Sequence, residues 1–144
     1  MNDNKLLDVT KLLKEYWEDK KIGAPFPEVS DISGSEIEDI WANCFIIAAK
    51  PDGGFAYEYA GENVAKAYEY EMEGQDIVDD MLYPESPELI TKLTEVTKKP
   101  EPLEYEGAFI SRENEDIKFR KILLPLSTDG EIKYILGGMI WRSF

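Results

Sequence analysis

The residues in this sequence that could support acid–base chemistry lie in a short aromatic run, where Glu58 stands between Tyr57 and Tyr59. A buried carboxylate beside a tyrosine can catalyse isomerisation or hydrolysis in a small α+β domain with a cavity. However, the run alternates as a β-strand does, and neighbouring strand residues point to opposite faces of a sheet. We therefore expect Glu58 to lie in solvent or at an interface, and the sequence indicates no catalytic residues.

A second acidic group, Asp76, Asp79 and Asp80, suggests a metal site as one interpretation. The calcium-binding EF-hand loop places its oxygen ligands at fixed positions, and this spacing does not match them. Acidic residues are also favoured in the first turn of a helix, where they interact with the helix dipole. We therefore predict a helix N-terminus at this point and no metal site.

Histidine is absent from the sequence, and Cys44 is its single cysteine. The absence of histidine excludes His-ligated haem, His-ligated zinc and every His-based catalytic triad or dyad. One cysteine cannot form an internal disulfide, and Cys44 lies in an apolar run that continues to Ala49. We predict a small buried hydrophobic side chain here, with a reactive thiol as the alternative.

The composition describes a folded and strongly acidic protein. The chain has 144 residues, of which 43% are hydrophobic and 12% aromatic, and this fits one domain with a sizeable core. The net charge of −14 disfavours nucleic acid and anionic membranes; it provides solubility or attracts a basic partner. The sequence contains no apolar run long enough to span a membrane and no secretory signal, so we expect a cytoplasmic protein.

Two long apolar runs, residues 117–126 and 132–141, dominate the C-terminal part of the chain. The segment between them, residues 127–130, ends in Asp-Gly. This dipeptide between runs rich in β-branched and aromatic residues predicts a β-hairpin. Strands this long and this apolar are expected near the middle of a sheet, where both backbone edges are paired.

The first strand of this hairpin changes its apolar face part of the way along. Ile117 and Phe119 share one phase of the alternation, whereas Ile122 and Leu124 share the other. A regular strand with one buried face cannot do this. The pattern predicts either a bulge near residues 120–121 or burial of both faces beyond them.

The N-terminal segment, residues 4–20, has the spacing of an amphipathic helix that Asp3 or Asn4 would cap. Its apolar stripe has two possible roles, packing against its own domain or forming a dimer or partner-docking interface. A Gly- and Pro-rich segment follows, so we divide the chain into a helix with its linker, residues 1–26, and a domain, residues 27–144. The candidate interface residues are Leu6, Val9, Leu13, Tyr16 and Trp17.

The remaining sequence predicts short helices and strands in a mixed order. A capping-box pattern, Ser35 to Glu38, opens a short helix that ends near Trp41. Together with the hairpin, the pattern predicts an α+β fold, a five-stranded antiparallel sheet with short helices on one face and an N-terminal flanking helix. The other predicted elements are strands at 43–50, 55–60 and 103–111, and helices at 62–70, 76–82 and 86–99.

This order of strand, strand, helices and three strands resembles that of a PAS domain, and the residues resemble a stand-alone PAS family common in alphaproteobacteria. The similarity covers roughly residues 27–141 and rests on three pieces of sequence. They are Ser30-Asp31-Ile32 before a short helix, the aromatic strand from Phe55 to Gly61 with Gly74 closing the next element, and the run from Leu123 to Gly130 followed by Ile135-Leu136-Gly137-Gly138.

The resemblance implies a sensing role. PAS domains bind small molecules or cofactors between sheet and helices, and they pass changes to a partner through the outer sheet face and a flanking helix. Residues 4–20 would be that flanking helix. No sequence follows Phe144, so we expect no kinase, cyclase or DNA-binding output in this chain. Such a module would act on other proteins, as a homodimer or an adaptor.

The resemblance also implies a pocket between the sheet and residues 61–96. The alternative is that the same residues only fill the core, although a buried tyrosine hydroxyl needs a partner that a ligand can supply. No cofactor is identified. The helix after the second strand lacks the cysteine of a light-sensing flavin domain, and Cys44 is a conceivable haem ligand. The candidate ligand-binding residues are Phe45, Tyr57, Tyr59, Tyr68, Met81, Leu93, Phe109, Leu124 and Met139.

Three functions therefore remain open from the sequence. The first is a PAS module that senses a small ligand, the second is a PAS-like scaffold or adaptor without a ligand, and the third is a small enzyme with a cavity. An enzyme would need a pocket carboxylate whose pKa is raised.

Overall fold

The computed structural model describes residues 8–69, 71–78 and 85–143 of the chain. Within these ranges no helix is long and apolar enough to cross a membrane. The helices are α1 (Val9–Asp19), α2 (Glu38–Trp41), α3 (Glu62–Tyr68) and α4 (Glu85–Lys98), with 3₁₀ turns at Val29–Asp31 and Gly34–Ile37. The strands are β1 (Cys44–Ala49), β2 (Phe55–Ala60), β3 (Leu103–Ile110), β4 (Asp116–Thr128) and β5 (Glu131–Ser143).

The five strands form one antiparallel sheet in the order β2-β1-β5-β4-β3. The β4–β5 hairpin provides two inner strands of this sheet, which confirms the predicted α+β fold. Asp129 and Gly130 form its two-residue turn, with φ angles of 52° and 84°. Two successive left-handed residues are what a type I′ turn requires, and its twist matches that of the paired strands.

Both faces of β4 are buried beyond Arg120, and the strand has no bulge at that point. Its pairing with β5 is continuous over residues 117–126. Of the two sequence-based alternatives, burial of both faces is therefore correct. The irregularity in the pairing comes later, between Leu126 and Ser127.

Two apolar clusters lie on opposite sides of the sheet. The inner cluster packs under α3 and α4 and takes from β4 the alternate residues Ile117, Phe119 and Leu123. The outer cluster packs under α1 and takes from β4 the residues Ile122, Leu124 and Leu126. The apolar face of β4 therefore does not change sides. Beyond Arg120 the opposite face is buried as well, because α1 covers it.

Helix α1 covers the outer face of the sheet. Its residues Val9, Leu13 and Trp17 are buried in the outer cluster. The indole Nε1 of Trp17 donates a hydrogen bond to the backbone carbonyl of Pro125 at 2.8 Å. Because these side chains contact their own sheet, a partner could reach them only if α1 left that surface.

The start of α1 differs from the sequence-based expectation. The N-cap is Asp8, whose carboxylate accepts a hydrogen bond from the backbone N–H of Lys11 at 3.3 Å. The helix therefore begins at Val9, because an N-cap residue terminates the helical backbone on its N-terminal side. The predicted caps Asp3 and Asn4 lie outside the described residues, as does Leu6.

Glu36 ties the end of α1 to the segment before α2. Its carboxylate accepts a hydrogen bond from the Tyr16 hydroxyl at 2.6 Å and lies 2.8 Å from the Lys20 ammonium. The predicted capping box with Ser35 as N-cap is wrong, because Ser35 lies inside a 3₁₀ turn whose N-cap is Ser33. The hydroxyl of Ser35 instead forms a hydrogen bond with that of Ser33 at 2.9 Å.

The segment after α3 runs along the free edge of β2 and is not helical where a helix was predicted. The backbone N–H of Tyr57 donates to the carbonyl of Gln75 at 3.0 Å, and that of Ile77 donates to the carbonyl of Phe55 at 2.9 Å. Pairing with an exposed strand edge satisfies backbone groups that a helix would have satisfied internally. Residues 79–82 of the predicted helix lie outside the described part of the chain.

Two neighbouring leucines of α1 test its packing. Leu13 is completely buried, whereas Leu12 is 37% exposed. We expect Leu13→Ala to lower the free energy of unfolding by ~2–5 kcal/mol and Leu12→Ala by less than about 0.5 kcal/mol. Urea denaturation of both variants measures this difference. Equal effects, or a change of oligomeric state with unchanged stability in Leu13→Ala, would show that the stripe is an interface instead.

Gly137 of β5 lies opposite Phe45 of β1, and a Cβ at this position would overlap the Phe45 ring. We expect Gly137→Ala to destabilise the fold by ~1–3 kcal/mol, because the ring must leave its packed position. Gly54→Ala is the control, since its Cβ would meet only the ends of two exposed or flexible side chains, the Asp52 carboxylate at 3.2 Å and Lys50 Cδ at 3.9 Å. Thermal unfolding of the two variants gives the comparison, and an unchanged Gly137→Ala protein would mean that the inner cluster has room around Phe45.

Candidate functional site

The space between the sheet and helices α3 and α4 holds most of the residues predicted to line a pocket. They come from six different elements, so the tertiary fold brings them together from distant parts of the chain. The predicted residues found in the inner cluster are Phe45, Tyr57, Tyr68, Leu93, Phe109 and Met139.

Tyr59 belongs to the outer cluster, on the opposite side of the sheet from Tyr57. The pairing of β1 with β2 shifts at this point, with Ile46 opposite Tyr59 and Ile47 opposite Tyr57. The shift leaves Glu58 as an extra residue in β2. One extra residue reverses the alternation of side chains. The two tyrosines therefore lie on opposite faces of the sheet, whereas the sequence pattern predicted a shared face.

Leu124 also packs in the outer cluster, because it alternates with the inward-facing Leu123 along β4. It lies on the side of the sheet that α1 covers and not beside α3 or α4. Met81 lies outside the described residues.

Lys121 of β4 is the residue of this site that sequence reasoning missed. Only 1% of its surface is exposed, and among the described residues it is the one charged side chain that is buried. Its ammonium Nζ donates a hydrogen bond to the hydroxyl of Tyr68 at 2.8 Å. Its position follows from the alternation of β4, because Lys121 lies midway between the inward-facing Phe119 and Leu123. The alternation along β4 is therefore the sequence signal that could have identified Lys121 as an inward-facing residue.

Aromatic rings surround the Lys121 ammonium. Nζ lies 4.7 Å from the centroid of the Phe119 ring, 5.5 Å from that of Tyr68, and 6.0 Å from those of Phe45 and Tyr105. These distances fall within the range of cation–π attraction, in which the negative face of the ring stabilises the cation. The ammonium therefore lies in an aromatic cage that β1, β3, β4 and α3 build together.

The rings of this cage also pack on one another. Tyr68 and Phe109 are stacked with ring centroids 5.0 Å apart and an interplanar angle of 5°. Tyr105 and Phe119 meet edge to face at 5.8 Å. Both arrangements suit the quadrupoles of aromatic rings, so the cage is closely packed.

A lysine in this position has an energetic cost. Removing an ammonium from water costs several kcal/mol even after the protein relaxes, and the cation–π contacts and the hydrogen bond to Tyr68 offset part of that cost. An unbranched apolar side chain of similar volume would fill the same place without that cost.

The acidic residues considered for catalysis and metal binding lie away from this cage. Glu58 is exposed. The Asp76 carboxylate lies 3.0 Å from the Lys50 ammonium, in an ion pair at the surface. Across the described ranges, no three residues of the metal-ligating types form a group that could hold an ion. Asp79 and Asp80 lie outside those ranges.

Cys44 is completely buried in the outer cluster, as predicted for a small hydrophobic side chain. Its thiol donates a hydrogen bond to the backbone carbonyl of Ile40 at 3.3 Å. Burial raises the pKa of this thiol to about 12. The thiol is therefore protonated at neutral pH, and the alternative of a reactive thiolate is disfavoured.

The chain belongs to the PAS domain family. The profile of this family matches residues 7–140, which include α1 and the sheet except for the last three residues of β5. The match confirms the resemblance to PAS domains that the sequence showed. No curated protein matches the chain.

Several solved structures share this fold. The N-terminal domain of a diguanylate cyclase with PAS/PAC sensor from Marinobacter aquaeolei is 18% identical, with a TM-score of 0.53, covering 67% of this chain and 91% of that one. The LOV domain of a blue-light activated histidine kinase from Erythrobacter litoralis is 16% identical, with a TM-score of 0.54 and coverages of 70% and 95%. A LOV protein from Rhodobacter sphaeroides is 10% identical, with a TM-score of 0.55 and coverages of 76% and 68%.

The arrangement of a light-sensing flavin domain does not fit this chain. Such a domain would need a reactive cysteine on α3, and α3 contains none. Cys44 lies in the outer cluster, with the sheet between it and the aromatic cage. For the same reason, its sulfur is not placed to ligate a haem in the interior.

Tyr59 has its own well-defined environment outside the cage. Its ring stacks on that of Trp41 at 4.5 Å with an interplanar angle of 10°, and its hydroxyl donates to the Trp41 carbonyl at 3.1 Å. Burial, with smaller effects from Cys44 and Glu73, raises the pKa of Tyr59 to about 12.

This environment predicts how stability depends on alkaline pH. An unfolded tyrosine ionises near pH 10, whereas folded Tyr59 ionises near pH 12. Its contribution to stability is therefore fully present below about pH 10 and is lost as the pH rises to about 12. In Tyr59→Phe, we expect the near-ultraviolet absorbance titration of tyrosinate to show a smaller increase in absorbance near pH 12. The Tyr16 part of that increase should remain, since burial and the bond to Glu36 also raise the pKa of Tyr16 to about 12. An unchanged titration curve would refute the assignment.

Proposed function

We propose that this PAS domain is a sensory module that binds a small ligand between the sheet and helices α3 and α4 and signals through protein contacts. The observation that supports a ligand is the Lys121 ammonium in its aromatic cage. Charged side chains are rarely buried in a core, so we take this one as the candidate contact for a ligand. The cytoplasmic location, and a homodimer or adaptor role toward a signalling partner, belong to the same proposal.

The two-sided burial of β4 offers a route for the signal. Lys121 points into the cage, and the next residue, Ile122, points into the outer cluster beneath α1. A ligand that shifts β4 would therefore change the surface on which α1 rests. A partner would read α1 or the outer sheet face, and the candidate interface residues Val9, Leu13 and Trp17 would become accessible as α1 lifts.

A scaffold or adaptor that binds no ligand is the second candidate, and the dense packing of the cage favours it. The stacked pair of Tyr68 and Phe109 already fills part of the interior. In that case Lys121 would serve only to fix the arrangement of the core. The small cavity enzyme has no such observation in its favour, and the sensory fold argues against it.

Native mass spectrometry of the purified protein, with an absorbance spectrum of the same sample, tests the proposal. We expect a bound molecule that is released on denaturation. The filling variant Leu93→Trp should lose that molecule, because Leu93 is completely buried in the inner cluster. Leu12→Trp is the matched control on the exposed side of α1 and should retain it.

Hydrogen exchange then separates the two candidates. Ligand binding should change the hydrogen exchange of the α1 amides if β4 carries the signal. Circular dichroism of Leu93→Trp and Leu12→Trp checks that both variants remain folded. Two results together would favour the scaffold. The first is the absence of a bound molecule in protein purified from any expression host, and the second is hydrogen exchange of α1 that no added small molecule changes.

A further inference from the structure

The two edges of the sheet are finished differently. Residues 74–77 pair with the edge formed by β2, where the backbone N–H of Ile77 donates to the carbonyl of Phe55 at 2.9 Å. The other edge is β3, which pairs with β4 on one side. Within the described part of the chain, no backbone group bonds to its other side. Of the two edges, β3 is therefore the one that can accept a further strand.

The hydrogen bonds of the β3–β4 pair show which backbone groups of β3 point outward. The N–H of Ser111 donates to the carbonyl of Glu115 at 2.8 Å, in the same register as the rest of this pair. Residues of an antiparallel strand alternate between bonding to one neighbour and pointing away from it. Odd-numbered residues of β3 therefore bond to β4, and even-numbered residues point to the free edge. The outward residues, all exposed, are Glu104, Glu106, Ala108 and Ile110.

The pairing of the other strands leads to the same assignment. The N–H of Met139 in β5 donates to the carbonyl of Asn43 at 2.9 Å, so odd-numbered residues of β5 face β1. Even-numbered residues of β5 then face β4. Because the β4–β5 register is continuous over residues 117–126, the odd-numbered residues of β4 remain for β3. The free edge of β3 consequently presents an N–H and a C=O from each of its four outward residues.

We propose that this edge pairs with β3 of a second copy of the chain, antiparallel and about a twofold axis at Gly107. The homodimer belongs to the function proposed above, and this pairing gives it a surface that does not involve the ligand. The register sets Glu106 opposite Ala108 of the second copy and Glu104 opposite Ile110 of the second copy. Each outward residue then exchanges two backbone hydrogen bonds with its opposite residue, and the two sheets become one.

The charges of β3 favour this register. Its outward residues are acidic in the first half of the strand, Glu104 and Glu106, and apolar in the second half, Ala108 and Ile110. Antiparallel pairing about Gly107 sets the acidic half of each copy against the apolar half of the other. An axis at Glu106 would instead place two glutamates directly opposite each other, which destabilises a sheet. The strand is therefore complementary to itself in the register with the longest overlap.

The same charges predict an unusual response to salt. Two copies with a net charge of −14 each repel one another. The Glu106 carboxylate already lies 3.0 Å from the Arg120 guanidinium of its own chain, and the proposed junction contains no ion pair between the copies. Salt should therefore strengthen the dimer, because it screens the repulsion and removes no attraction. An interface made of ion pairs between copies would weaken instead.

Sedimentation equilibrium from ~10 µM to ~1 mM protein, at low and high salt, tests the pairing in the range of weak interfaces. We expect a monomer–dimer equilibrium in the wild-type protein. Ala108→Pro removes an outward N–H without touching the bonds to β4 and should weaken the dimer roughly 10- to 100-fold. Ala108→Val is the matched control, since it keeps the N–H and should associate as the wild type does.

A second variant covers the case in which Ala108→Pro does not fold by circular dichroism. Ala108→Glu leaves the backbone intact and faces Lys118 within its own sheet. Between copies it would lie opposite Glu106 of the second copy. We expect this like-charge contact to weaken the dimer roughly 2- to 10-fold at low salt, with a smaller loss at high salt.

Amide hydrogen exchange locates the interface residue by residue. With rising protein concentration, the amides of residues 104, 106, 108 and 110 should exchange more slowly, whereas those of 105, 107 and 109 should not change, because they already bond to β4. A monomer at every concentration, equal association of the wild type with the proline and glutamate variants, or new protection on α1 in place of β3 would overturn the pairing. The ligand-binding function would be unaffected by that result, since native mass spectrometry tests it separately.

Discussion

Burial of β4 on both faces is the constraint on which the rest of this structure depends. A strand with apolar residues on each side must lie inside a sheet, paired at both edges, and must have a cover on each face. Strands β3 and β5 provide the pairing. Helices α3 and α4 cover one face, and α1 covers the other. Without α1, residues such as Leu124 would be exposed, so this helix is part of the fold as well as a flanking element.

The same constraint places one strand in contact with both the interior and the outer helix. Lys121 and Ile122 are neighbours in sequence but lie on opposite sides of the sheet, one in the aromatic cage and the other beneath α1. The indole of Trp17 is bonded to the backbone of the same strand at Pro125. A PAS domain built in this way needs no long chain of residues to connect its interior with its outer helix, because one strand contacts both.

Most of the fold could be predicted from periodicity and turn chemistry. The strands, the Asp-Gly turn and the amphipathic α1 all carry local signals, and local signals suffice where the backbone conformation agrees with residue preference. The failures occurred where a distant element intervened. Residues 75–77 pair with the edge of β2 and so do not form the expected helix. The irregularity at Glu58 moved Tyr59 out of the interior, since a shift in pairing with β1 leaves no mark in the sequence of β2.

The sequence by itself determined that this protein is an acidic α+β domain with a central hairpin, without histidine chemistry and without an internal disulfide. Those properties depend on composition and on the alternation of neighbouring residues, which the chain carries locally. Only the tertiary structure decided which side of the sheet became the interior. Alternation separates the two faces of β4 but does not say which helix covers each one. For that reason a lysine in an apolar run became the centre of the candidate site only when Phe45, Tyr68, Tyr105 and Phe119 were brought around it.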